Sequence, residues 1–190
     1  MSDIEILKQA AKTLGPGVEK LSKAVLGNTK FKEWPASIDK HQCEPGGLAK
    51  HTREMWELAV STVATLKSER VDMATVFLAI LYHDVGKLYD YESVPSERAS
   101  TPTWEKSDHC RLIHHISRSA LIWGMESAKL DPYNRFHDSV LHCILSHHGC
   151  REWGSPVAPK TREAWLVHMV DMMSARMDDW HKFDIVKDKK

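Results

Sequence analysis

A chain of 190 residues with 42% hydrophobic composition can bury a sizeable core, and one compact domain is the expected organisation at that length. Lysine plus arginine number 26 and aspartate plus glutamate also 26, so the overall charge advertises no nucleic-acid or acidic-membrane partner, and any polyanion has to be met by a local patch. No apolar run is long enough to span a bilayer and the start MSDIEILKQAAK lacks the basic-then-apolar layout of a signal peptide, so a cytoplasmic chain with no membrane partner is expected. Cys43, Cys110, Cys143 and Cys150 show no CxxC spacing and read as reduced packing residues.

Residues 3–13 have the pattern of a short amphipathic helix ended by Gly15, Pro16 and Gly17, and residues 18–26 that of a second ended by Gly27 and Asn28. Together, residues 1–34 are expected as a helical lead-in, residues 35–181 as the domain proper and residues 182–190 as a polar tail. The stretch around Pro35 and Pro45-Gly46-Gly47 reads as irregular, closing in a turn before the next helix. From Leu48 to Leu66 apolar residues recur at helical spacing, with His51 on their side. A helix is expected over Val71–Tyr89, then a surface loop over residues 92–106. Ser107 is positioned to cap a helix reaching Gly124, its inward stripe being Ile113, Ile116, Ala120 and Trp123. Further helices are expected over Asn134–His147 and Thr161–His181, separated by the loop GCREWGSPVAP. No alternation of strand type is found, so the fold class is all-α, a single helical bundle.

Histidine is the unusual component: of twelve in the chain, seven fall in the segments HDVGK, LIHHIS, LHCILSHHG and WLVHMVD. Such clustering favours a metal site, imidazole being the commonest side-chain ligand that stays neutral near pH 7. At the centre stand His83 and Asp84, ending the apolar run Val76–Leu81 and followed by Lys87. Adjacent helical residues point about 100° apart, so both can reach one point only if it lies just off the helix surface. His137 and Asp138 form a second such pair, but polar Asn134 and Arg135 precede it, and it reads as a surface pair. Asp171, amid Val170, Met172 and Met173, needs a partner, and His168 shares its helical face.

In chain order the inward candidates are His51, His83 with Asp84, His115, His147 with His148, and Asp171. This order resembles the HD-domain superfamily of metal-dependent phosphohydrolases. The words PASIDKHQCEPGGLAKHT, HDVGK, HHIS, LHCILSHHGCREWGSP and EAWLVHMVDMMSARM are similar to the HD domain of YhaM-type 3′ to 5′ exoribonucleases, over roughly residues 35 to 177. In two respects the chain departs from that subgroup: residues 1–34 are too few for the OB-fold domain that precedes the HD domain in such enzymes, and Gln42 follows His41 where a second histidine is usual.

The resemblance implies that His51, His83, Asp84 and Asp171 bind a first metal and that His115 and His147 bind a second. Asp84 would bridge the two, with His148 a ligand or a donor to phosphate. Imidazole and carboxylate suit Mn²⁺, the first expectation, or Fe²⁺, Co²⁺, Ni²⁺ or Zn²⁺, rather than Mg²⁺ alone. Two such ions roughly 4 Å apart would activate a water for in-line attack on phosphorus, and Lys87 could donate to a phosphoryl oxygen. His168 reads as a partner of Asp171 or a substrate contact. Arg111, Arg118, Arg151 and Lys160 are near enough in sequence to take flanking phosphates, and Gly149, Gly154 and Ser155 to shape the pocket.

A metal-dependent phosphodiesterase trimming single-stranded nucleic acid or short oligonucleotides from the 3′ end is the leading expectation. Neutral charge and the missing OB domain weaken polymer tethering, so a partner protein or a homo-oligomer could supply the grip. A nucleotide or deoxynucleotide phosphohydrolase, with a pocket lined by Trp104, Tyr89 or Trp153, is the alternative. A non-catalytic HD binding module is the third reading.

Overall fold

A computed structural model describes residues 1–95, 103–130 and 134–178. Its centre is helix α5 (Met73–Tyr82), in which every residue from Ala74 to Tyr82 is buried. A helix apolar on all sides must be enclosed on all sides, and the other long helices do this. Helices α2 (Pro16–Leu26), α4 (Gly47–Leu66), α8 (His115–Ala128), α9 (His137–Ser146) and α10 (Arg162–Asp178) all pack against it. Helix α1 (Asp3–Thr13) closes the layer against α2 and α4. Leu7 and Ala11 of α1 and Val18, Leu21 and Val25 of α2 belong to the same core as α5, so the lead-in packs as part of the bundle.

Local signals account for the helix starts. Ser2 and Glu5 form a reciprocal capping box on α1, Pro16 opens α2, and the Asp72 side chain accepts from the Ala74 N–H at the start of α5. Asn28 caps a short helix that the sequence pattern did not show, α3 (Thr29–Glu33).

Three expectations need correction. The helix expected over Val71–Tyr89 ends at Tyr82; residues 83–86 turn through short i→i+3 hydrogen bonds into α6 (Lys87–Asp90). The loop expected over residues 92–106 is in its described part an antiparallel hairpin, β1 (Tyr91–Val94) on β2 (Thr103–Lys106), with Tyr91 opposite Lys106; each strand is too short for alternation to be visible. Trp34 anchors this hairpin, its ring 4.5 Å from that of Trp104 and its indole N–H donating to the Tyr91 carbonyl at 3.3 Å. The helix expected from Ser107 to Gly124 is two, α7 (Asp108–Leu112) and α8, divided at His114, whose φ is 67°. The break turns Ile113 outward, 44% exposed, while Ile116 and Trp123 remain buried. The part of the last helix expected beyond Asp178, and the polar tail, lie outside the described residues. The His137–Asp138 pair divides: Asp138 is exposed, but the His137 ring bonds the Ser127 hydroxyl at 2.7 Å and its carbonyl accepts from the Trp123 indole at 2.9 Å.

Gly86 permits the turn after α5. Its N–H donates to the Ser119 hydroxyl at 2.9 Å, and a Cβ at this position would lie 2.2 Å from the His115 carbonyl oxygen. The turn carrying His83 and Asp84 is thereby pressed directly onto the first turn of α8. Gly86→Ala is expected to cost about 1–3 kcal/mol, as overpacking of a close contact does, and to lower Tm by several degrees, roughly 2–4 °C per kcal/mol at this chain length. Differential scanning calorimetry checks this.

Candidate metal centre

Six helices or helix ends contribute side chains to one buried locus. His51 comes from α4, His83 and Asp84 from the end of α5, Lys87 from α6, His115 from the first residue of α8, His147 from the end of α9 and Asp171 from α10. The residues expected to converge do converge. His51 Nε2 lies 3.1 Å from Asp171 Oδ1, and His83 Nε2 lies 4.0 Å from the same oxygen. Asp84 stands between two groups: Oδ2 is 3.3 Å from His83 Nε2, while Oδ1 is 3.3 Å from His115 Nε2 and 3.8 Å from His147 Nε2. Donor atoms of His51, His83 and Asp171 form one cluster within 4.8 Å of one another, and those of His115, His147 and His148 form another.

Hydrogen bonding fixes which ring nitrogens carry lone pairs. His83 Nδ1 bonds the Ile80 carbonyl and His147 Nδ1 the Ile144 carbonyl, each at 2.7 Å. A carbonyl only accepts, so each Nδ1 is protonated and each Nε2 presents a lone pair. His51 Nδ1 meets the Ser174 hydroxyl at 2.9 Å, and that hydroxyl donates to Glu54 Oε2 at 2.9 Å. Ser174 therefore accepts from His51, whose Nε2 again faces inward as a lone pair. His148 Nδ1 bonds the Trp153 carbonyl at 2.7 Å with the same result.

The consequence is a pocket of mutually facing acceptors. His83 Nε2, Asp84 Oδ1, His115 Nε2 and His147 Nε2 are buried and have no hydrogen-bond partner. Leaving such atoms unpaired is costly, and facing lone pairs repel. A divalent cation removes both penalties, and a shell of imidazole and carboxylate suits a transition metal. The donor set present therefore fits a metal.

The charge balance agrees. Burial opposes ionisation of Asp84, but Lys87, with Nζ 2.6 Å from Oδ2, together with His83 and His115 holds its pKa well below the usual carboxylate range. Asp171 is likewise lowered: burial opposes this, and the neighbouring His51, His83 and His147 more than offset it. Burial works against a charged His83, yet without a metal Asp84 and Asp171 raise its pKa, so the Nε2 lone pair belongs to the neutral ring and a cation there would displace a proton. Burial pushes His115 down to about 4 and His41 to about 3, and it carries His147 well below the imidazole value.

The centre opens into a cavity of about 550 Å³, within the range of ligand pockets. Asp84, Lys87, His148 and Asp171 line its floor, and Lys40, His41, Trp153 and Arg176 are among the residues around it. Of these the sequence reasoning left out Lys40, His41 and Arg176; Arg176 stands one helical turn after Met172, which also lines the cavity. Several expected substrate contacts have other places. Arg151 is exposed and does not line the cavity. Arg118 donates through Nε to His109 Nε2 at 2.9 Å and covers the Tyr89 ring. Ser155 is buried and accepts from the His148 N–H at 3.0 Å. His168 bonds the His147 carbonyl through Nδ1 at 2.7 Å, and Gly149, at φ +85°, packs on its ring, where a Cβ would come within 2.5 Å. All three shape the turn that carries His147 and His148. Of the aromatic candidates only Trp153 reaches the cavity; Trp104 packs on Trp34 and Tyr89 lies beneath Arg118.

A helical bundle that gathers imidazole and carboxylate lone pairs around a cavity with a lysine at its edge is the architecture of a metal-centred hydrolase. A family model described as the HD domain matches residues 48–176, and the chain belongs to that family of metal-dependent phosphohydrolases, hydrolases acting on phosphoester bonds. Among curated proteins it is similar to the 3′-5′ exoribonuclease YhaM of Geobacillus sp. (29% identity over 86% of this chain and 48% of that protein). The YhaM proteins of Oceanobacillus iheyensis, at 29% identity over 86% and 49%, and Halalkalibacterium halodurans, at 30% over 86% and 49%, are also similar. The chain spans about half the length of the curated relatives it matches. No solved structure matches it. Among the described residues no helix is long and apolar enough to cross a membrane.

The histidine shifts set a pH dependence for the metal-free protein. His41, His115 and His147 have folded pKa values below their unfolded value of about 6.5. The unfolded chain then binds more protons, so their stabilisation is complete above about pH 6.5 and is lost as pH falls toward the folded values. His83, raised, acts in the opposite sense as pH climbs above about 6.5. In EDTA, Tm is expected to fall progressively from about pH 6.5 down to about 4; a calorimetric Tm that stays level or rises on acidification contradicts the assignment.

Proposed function

We propose that the protein is a metal-dependent phosphodiesterase removing nucleotides from the 3′ end of single-stranded nucleic acid. The observation that carries the reading is the set of buried, unpartnered donor atoms, His83 Nε2, Asp84 Oδ1, His115 Nε2 and His147 Nε2, gathered around Asp84, which itself lines a cavity of about 550 Å³. In this reading His51, His83, Asp84 and Asp171 would hold one divalent ion, and His115, His147 and His148 a second. Mn²⁺ is the first candidate, ahead of Fe²⁺, Co²⁺, Ni²⁺ and Zn²⁺. When bound, such ions polarise the phosphoryl oxygens and lower the pKa of water, which is the chemistry the hydrolysis needs.

The chain's own residues do the rest. Lys87 directs one N–H at Asp84, and its other donors are free to serve a phosphoryl oxygen at the cavity edge. His41, kept neutral by burial, has an unpartnered Nε2 beside the same cavity. Lys40 and Arg176 supply positive charge around it, and the half-exposed face of Trp153 offers a base a stacking surface. Because Trp153 also holds His148 through its carbonyl, base binding and the metal-side histidine share one short segment.

The small number of cations around the cavity and a net charge of zero favour a second reading, hydrolysis of a nucleotide or deoxynucleotide. Incubation of the purified protein and Mn²⁺ with end-labelled RNA and DNA, beside a mononucleotide panel, separates the two. Stepwise 3′ shortening is expected, and phosphate release from mononucleotides alone would favour the second reading. Asp84→Ala is expected to abolish either activity, and Lys87→Ala to lower kcat by about 10²–10³, the cost of losing one donor to the developing charge. Trp153→Ala is expected to raise KM for an oligonucleotide by about tenfold, from loss of base stacking, with a smaller change in kcat; steady-state kinetics reads both.

A further inference from the structure

Beyond the two clusters around Asp84, a row of polar side chains leads from the surface to the back of His115. Asp90, at the end of α6, is almost fully buried, with 1% of its surface exposed. Its Oδ1 lies 2.7 Å from His109 Nδ1, and its Oδ2 accepts from the His115 N–H at 3.1 Å and stands 3.4 Å from His115 Nδ1. His109 in turn receives at Nε2 the Nε–H of Arg118, at 2.9 Å. Arg118 lies across the ring of Tyr89, 4.9 Å from its centroid.

The protons along this row can be placed without ambiguity. A guanidinium only donates, so His109 Nε2 accepts and its Nδ1 carries the proton it gives to Asp90. Asp90, an ionised acceptor, is then left to receive from His115, and a proton on His115 Nδ1 leaves the lone pair on Nε2, the atom facing Asp84. The other histidines of the centre are oriented differently: His83 and His147 by main-chain carbonyls and His51 by a serine hydroxyl. Within this centre His115 is the imidazole backed by a carboxylate, the arrangement that fixes a metal-bound histidine's tautomer and raises its basicity.

We propose that Asp90, His109 and Arg118 form a positioning chain that holds His115 in the tautomer and orientation needed to bind metal, so that these residues set the affinity of the His115–His147–His148 site and not of the other. Arg118, which the sequence suggested for substrate phosphates, is the outer anchor of this chain. The inference rests on the metal-centre reading above.

Mn²⁺ titration calorimetry, with apoprotein melting in EDTA alongside, tests it. Asp90→Asn, similar in shape but lacking one acceptor, is expected to weaken one of two Mn²⁺ sites by about 10–100-fold, as loss of an outer partner of a ligand does, and to leave the other within about twofold. Because Asp90 is buried and its variant could unfold, Arg118→Met serves as a second test. It is expected to weaken the same site several-fold without a matching loss of apoprotein Tm, and Arg118→Lys, which keeps a donor, to restore part of the affinity. Equal weakening of both sites, or no change at either in both variants, overturns the chain while leaving the metal centre intact. A wild-type protein that takes up no divalent ion overturns both.

Discussion

Everything in this molecule answers to one constraint, the burial of mutually repelling lone pairs at the end of its most apolar helix. Helix α5 is enclosed on every side, and where it stops, His83 and Asp84 are enclosed with it. Apolar burial around α5 stabilises the bundle strongly enough to carry an arrangement that is unfavourable in itself. The same packing holds the donors in place beside the cavity. Stability and reactivity therefore meet in one short helix, the first along its apolar body and the second at its polar end.

Orientation of those donors is the work of a surrounding set of hydrogen bonds. Main-chain carbonyls one turn back fix His83 and His147, the Glu54–Ser174 pair fixes His51, and the Trp153 carbonyl fixes His148. Gln42, next to His41, donates to Glu54 at 2.9 Å and so joins that set instead of the donor cluster. Its backbone at φ 38° and its N–H bond to Asp178 Oδ2 at 2.6 Å tie the irregular segment before α4 to the end of α10.

Much of this was legible in the sequence because period and chemistry coincided. His51 sits on the apolar side of α4, and the run from Val76 to Leu81 announces a buried helix whose end carries the His-Asp pair. Breaks in helices were harder to read. Nothing local in YHDVGKLYDY marks the end of α5 at Tyr82, since the turn depends on Gly86 meeting α8, more than thirty residues' worth of chain contacts away in Ser119. Likewise, His114 takes a left-handed conformation because the His115 N–H bonds Asp90, a contact between elements. The arginines misled for a related reason: Arg118 and Arg151 flank ligand words in sequence, but a helix turns one toward His109 and a 3-10 turn leaves the other in solvent.

Helix α10 touches both donor groups. Asp171 belongs to the first directly, and His168, three residues earlier, grips the carbonyl of His147 in the second. Three residues of α-helix advance about 4.5 Å along the axis. The helix thus acts as a ruler: the spacing between the two halves of the centre is inherited from the repeat of the polypeptide backbone itself. Slipping α10 by a single residue would rotate Asp171 and His168 off their marks together.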